Sequence, residues 1–140
     1  MTAAVETGTF GVSSGEVAAI DTWVADVGHR WGASERTVFR TRLCIAELAA
    51  NVLEHGVASW AEAYIAVTLI HIDDGIAVEF RDSGRPFDPT IETAAAPIAA
   101  SIESASTGGR GLMLVRAYAG DIAYSHDGAC NRITLKIKSS

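Results

Sequence analysis

Two acidic residues, one carboxamide and two glycine turns are the parts of this sequence that could do chemistry. Glu47-Leu-Ala-Ala-Asn51-Val-Leu-Glu-His55-Gly56 sets a carboxylate and a carboxamide four residues apart. At 100° per residue, Glu47, Asn51, Glu54 and His55 share about a quarter of a helix circumference, while Val38, Ile45, Leu48, Ala49 and Val52 gather elsewhere. One face can pack and the other can act. The carboxylate can take a proton, and the neutral amide oxygen can ligate a hard cation such as Mg2+. Asp82-Ser-Gly84-Arg85-Pro-Phe87-Asp88 follows a β-rich run and places an acidic residue where the chain leaves a sheet. Gly108-Gly109-Arg110-Gly111-Leu112 opens a helical run, where free backbone N–H groups favour an anion.

The elements that must position these groups are readable in outline. Residues 1–12 are expected to form an edge strand or a loose arm. Ser13 with Glu16 reads as a capping box, and Val17, Ile20, Val24, Val27 and Trp31 mark a helix to about Gly32. Trp23 and Trp31 are assigned to the core. Ser34 caps a second helix, expected to run to His55 and stop at Gly56. Tyr64–Ile72 and Ile76–Arg81 alternate as strands about an Asp73-Asp74-Gly75 hairpin, the first of them central because both its faces carry apolar groups. Pro89–Thr107, rich in small residues, reads as a lid. Leu112–Ala119 reads as a helix that Gly120 ends. Ile122–Tyr124 and Arg132–Lys138 read as strands, with Ile133, Leu135 and Ile137 inward and Lys136 and Lys138 toward water.

The 140 residues, 49% hydrophobic and 20% charged, suit one domain over residues 1–140 with one core. A formal charge of −6 argues against general nucleic-acid binding, which needs clustered Lys and Arg, and fits a partner with a basic surface. There is no apolar run of membrane-spanning length and no secretion signal, so a cytoplasmic location is expected. Cys44 and Cys130 have no metal spacing; Cys44 reads as a small buried apolar residue.

Helix with Glu and Asn, strand ending in Asp-x-Gly, long loop, glycine cluster, helix, two strands: this order resembles the ATP-binding domain of the GHKL superfamily, which includes gyrase and the histidine kinases. Within it, Glu-Leu-x-x-Asn-x-x-x-His-Gly, Asp-x-Gly-x-Pro-Phe-Asp and Gly-Gly-Arg-Gly-Leu resemble the anti-sigma factor serine/threonine kinases. The resemblance implies a Bergerat α/β sandwich, in which a mixed, largely antiparallel sheet is covered on one face by helices. It implies ATP and Mg2+, with Glu47 as general base toward a serine or threonine hydroxyl and Asn51 as the Mg2+ ligand. Asp82 would accept from the adenine amino group, and Gly84 would leave room for the base. Gly109, Arg110 and Gly111 would meet the phosphates, and Arg85, Phe87 and Leu112 complete the expected nucleotide contacts. The implied partners are a sigma factor and an anti-sigma factor antagonist, and the implied assembly is a homodimer through residues 5–32. His55 is assigned to capping or packing at the helix end and not to phosphorylation, since the chain lacks a dimerisation helix pair.

Two departures stand out. No Lys or Arg lies between Asp88 and Gly109, so a basic clamp on the γ-phosphate falls to Arg110 or Arg85. Ala129-Cys130-Asn131-Arg132 lacks the glycine-threonine of many relatives, a change expected to alter packing more than chemistry.

Overall fold

A computed structural model describes residues 4–56, 63–84, 114–128 and 130–138. The chain runs β1 (Val5–Phe10), α1 (Ser14–Arg30), α2 (Glu35–Asn51), a π-helical turn (Val52–Gly56), β2 (Ile65–Ile72), β3 (Gly75–Asp82), β4 (Ala119–His126) and β5 (Asn131–Lys138). The five strands form one antiparallel sheet in the order β1-β2-β3-β5-β4.

Each helix begins where a serine can satisfy a free amide. The Ser13 hydroxyl accepts from Glu16 N at 3.1 Å, and the Ser34 hydroxyl accepts from Thr37 N at 3.1 Å. The buried residues of α1, Ile20, Val24, Val27 and Gly28, keep the three-and-four spacing of a stripe. The chain then reverses at Gly32, whose φ of 73° suits glycine. Close approach of the two helices depends on Gly28, because a Cβ there would lie 2.9 Å from Val38 Cγ2. A forked pair, Arg42 Nε and Nη2 to Asp21 at 3.0 and 2.8 Å, joins the same helices nearer solvent.

Period-two alternation supplies the sheet's half of the core. Ile65, Val67 and Leu69, Ile76, Val78 and Phe80, and Ile133, Leu135 and Ile137 are all buried in one cluster with Ile20, Val24, Val27, Ile45 and Leu48 of the helices. The opposite sheet face is mixed, with Ala66, Ile70 and Ala77 beside charged groups. There Arg81 and Arg132 stand directly across from one another, and Glu79 lies 3.1 Å from the first and 3.8 Å from the second. At the sheet's edge, Arg30 donates two hydrogen bonds to Glu6, at 2.6 and 2.9 Å, and so ties β1 to the end of α1.

Among the described residues the expected elements are present, with two differences. Residues 5–10 are an ordered edge strand on β2, and β2 is internal as its apolar faces required. The second helix keeps its α-helical form only to Asn51; Val52–Gly56 widens into a π turn, which breaks the regular 100° step used to place Glu54 and His55 beside Asn51. Residues 114–118 are helical, but β4 already begins at Ala119, so Gly120 lies in a strand and does not terminate a helix. Trp23 and Trp31 pack against the core as expected, Trp23 edge-on to Phe10 and Trp31 stacked on His71 at 5.3 Å. Cys44 is fully buried and free, and Cys130 is buried as well. Among the described residues no helix is long and apolar enough to cross a membrane.

Candidate functional site

Topology brings the site together by inserting the last strand between β3 and β4. Asp82, the final residue of β3, is therefore paired with Asn131, the first residue of β5, and Asn131 is in turn paired with His126 on β4. A turn fixes that start of β5: the Asp127 carboxylate accepts from Cys130 N at 3.0 Å, and Asp127 N donates to Cys130 O at 3.3 Å. Ser83 secures the other side, its hydroxyl accepting from Tyr64 N at 2.9 Å while its own N–H donates to Tyr64 O at 3.2 Å. The chain on both sides of Asp82 is thereby held.

Asp82 is only 5% exposed, and its two oxygens have different surroundings. Oδ1 accepts from Gly84 N at 2.9 Å and from Asn131 Nδ2 at 3.1 Å. Nothing among the described residues donates to Oδ2. Burial pushes the Asp82 carboxyl above its ordinary range, and the Asn131 amide, the Gly84 N–H and nearby His126 oppose that rise. A buried carboxylate with one saturated oxygen and one available oxygen is built to accept a hydrogen bond from a ligand. An exocyclic amine fits it, and a carbonyl does not.

Asn131 continues the set. Its Oδ1 accepts from the Tyr124 hydroxyl at 2.5 Å, and its Nδ2 also reaches Gly84 O at 3.4 Å. The expectation that the Cys130-Asn131 segment would affect packing more than chemistry is corrected here, because Asn131 bonds the carboxylate itself. Stepping back by two from Ile137, Leu135 and Ile133 along β5 lands on Asn131, so the sequence already held a polar residue on the inward face. Tyr124 had no comparable signal, since its partner is set by the β4–β5 pairing.

Glu47 and Asn51 come from α2, which packs on β3 and β5, the strands that carry Asp82 and Asn131. Glu47 is half-buried and lies close enough to Cys44 for its charge to act there; burial first, and the Glu47 charge second, push the Cys44 thiol up to about 12. Asn51, placed by its spacing on the face opposite the packed one, is 6% exposed at the last residue of the helix. No described residue hydrogen-bonds its carboxamide, in contrast to Thr41, whose hydroxyl donates to Thr37 O at 2.7 Å. Gly84 serves the site through its backbone, closing a turn over Asp82. Arg85, Phe87, Gly109, Arg110, Gly111, Leu112, the expected lid and the His55 side chain lie outside the described residues.

A family match decides what this arrangement belongs to. The histidine kinase-like ATPase domain matches residues 12–137. The chain belongs to that family. The resemblance carried by the three motifs is thus upheld across nearly the whole sequence, and the five-stranded antiparallel sheet with its helices is the fold that the resemblance implied. A relative of this ATPase domain, the serine/threonine-protein kinase BtrW of Bordetella bronchiseptica, is 29% identical over 118 residues, 84% of this chain and 82% of that protein. Among solved structures, the histidine kinase domain from the blue-light activated histidine kinase of Erythrobacter litoralis EL346 superposes with a TM-score of 0.54 over 89% of this chain. At 15% identity that likeness concerns the fold, and the chain spans 59% of the length of that structure.

Proposed function

We propose that the protein is an ATP-dependent serine/threonine kinase that acts as an anti-sigma factor, phosphorylating an antagonist protein and sequestering a sigma factor. The observation that carries the nucleotide half of this reading is Asp82: buried, held through Oδ1, and with no donor to Oδ2 among the described residues, which suits an exocyclic amine. Membership of an ATPase domain family supports it, as does 29% identity to a protein named as a serine/threonine kinase.

Asn51 suits the Mg2+ ion that accompanies such a nucleotide. Among the described residues no group of three or more His, Cys, Asp or Glu side chains could hold a metal, which is not the demand Mg2+ makes. It is commonly held by one or two protein oxygens together with phosphates and water, and a buried carboxamide oxygen is one such ligand. The ion, when bound, neutralises phosphate charge. Glu47, four residues earlier on α2, is the proposed general base, taking the proton of a serine or threonine hydroxyl as that oxygen attacks the γ-phosphorus and the bond to the leaving phosphate breaks. Gly109, Arg110, Gly111 and Leu112, with Arg85 and Phe87, are the proposed contacts to the rest of the nucleotide. The exposed edge strand β1, with Val5 53% exposed, suits a homodimer contact within residues 5–32, and a cytoplasmic location accords with these partners.

One observation favours a second reading, a partner-binding module that sequesters without catalysis: the run between Asp88 and Gly109 offers no Lys or Arg to the γ-phosphate. Glu47→Ala separates the two. Transfer of phosphate from ATP to a serine-bearing antagonist should be lost while nucleotide binding and partner capture persist. Transfer at the unaltered rate would remove Glu47 as base, and absence of transfer in the unaltered protein would favour the binding module.

A further inference from the structure

Tyr124 stands on the edge strand β4, half-buried, and reaches diagonally to Asn131 on the neighbouring β5. Its hydroxyl donates to Asn131 Oδ1 at 2.5 Å, while the other end of the same amide donates to Asp82 Oδ1 at 3.1 Å and Gly84 O at 3.4 Å. An asparagine amide has one accepting end and one donating end, and swapping them would set carbonyl oxygen against carboxylate. Engaging the accepting end from β4 therefore fixes Asn131 as a donor toward Asp82. The consequence passes to the ligand side. With Oδ1 saturated by Asn131 and Gly84, the carboxylate cannot turn without breaking two hydrogen bonds, and Oδ2 keeps one direction.

We propose that Tyr124 is a positioning residue for base selection, acting through Asn131 to aim Asp82 Oδ2 at the exocyclic amine of adenine. The proposal rests on the nucleotide reading above and goes beyond it by assigning selectivity to a residue that does not touch the base. A tyrosine acting only as packing would support all purine nucleotides alike. A tyrosine acting through the carboxylate matters only to ligands that carry the 6-amino group.

The test is a titration of the full chain, unaltered and as Tyr124→Phe, with Mg2+ and either ATP or purine riboside triphosphate, which lacks the 6-amino group. The unaltered protein should favour ATP. Tyr124→Phe should weaken ATP roughly three- to tenfold, the range of one hydrogen bond, and leave purine riboside triphosphate unchanged. In an Asn131→Ser background, where the accepting carbonyl is gone, Tyr124→Phe should have no further effect. Equal weakening of both nucleotides, or full retention of ATP affinity, overturns the proposal. If the unaltered protein does not prefer ATP, the nucleotide reading itself fails. The titration of the Asp82 carboxyl by NMR without nucleotide then decides about Tyr124: Phe should raise it further, and an unmoved titration denies the relay.

Discussion

Replacing Asp82 by Asn separates what the carboxylate does for the fold from what it does for a ligand. The asparagine Oδ1 can still accept from Gly84 N and Asn131 Nδ2, so both hydrogen bonds persist. Only Oδ2 changes, from an acceptor to an amide donor. Because the folded carboxyl lies above its ordinary value of 3.8, its contribution to stability is fully present below that pH and is lost as the pH rises through the raised folded value. Above that raised value the 5% exposed carboxylate no longer adds to stability, and Asp82→Asn should there melt at the same temperature or higher. That advantage should shrink on acidification. For the nucleotide the sign reverses. A hydrogen bond to a charged acceptor is worth about 1.5–3 kcal/mol, and an amine left facing a donor costs about 1–3 kcal/mol. ATP affinity should thus fall roughly 100-fold, since about 1.4 kcal/mol is tenfold. Inosine triphosphate, with a 6-oxo group in place of the amine, should gain. Calorimetric titration of both nucleotides beside melting curves at several pH values reads all of this. A variant that stays folded and binds ATP within about threefold of the unaltered protein refutes the assignment of Asp82.

Other expectations follow from the same geometry. Gly28→Ala should cost about 1–3 kcal/mol in denaturant unfolding, since its Cβ would meet Val38 Cγ2 at 2.9 Å, and Val38→Ala in the same chain should recover part of the loss. Absence of any recovery would place the strain elsewhere. Cys44, fully buried and with its thiol pushed up to about 12, should resist iodoacetamide at pH 8 in the folded protein and react on unfolding. Equal rates in both states would contradict the packing of α2. Asn51→Ala should reduce the Mg2+ dependence of ATP binding by about tenfold while leaving the melting temperature of the nucleotide-free protein nearly unchanged, because no described residue hydrogen-bonds its carboxamide. Loss of fold on that change would make Asn51 structural.

The legible parts of this fold were those in which one residue's neighbours decide the outcome. Ser13 and Ser34 announced their helices because a cap needs only the next three residues, and the hairpin about Asp73-Asp74 followed from a turn between two alternating runs. The inner faces of β3 and β5 were readable for the same reason. Asp82 was found through its glycine turn, but its hydrogen bond to Asn131 spans 49 residues and exists only because β5 enters the sheet beside β3. Local pattern does not encode that insertion. The burial of Asn51 was not legible, because a helical wheel treats α2 as isolated, whereas α2 packs on β3 and β5. The π turn at Val52–Gly56 escaped for a related reason, since its wider winding carries no distinct residue signature.

Calorimetric titration of the unaltered protein with ATP and with GTP, each with Mg2+, tests most directly whether Asp82 closes an adenine nucleotide site. ATP should bind saturably and GTP should not bind at the same concentrations, because guanine presents a carbonyl where Oδ2 requires a donor. Equal binding of both, or binding of neither, would contradict that assignment.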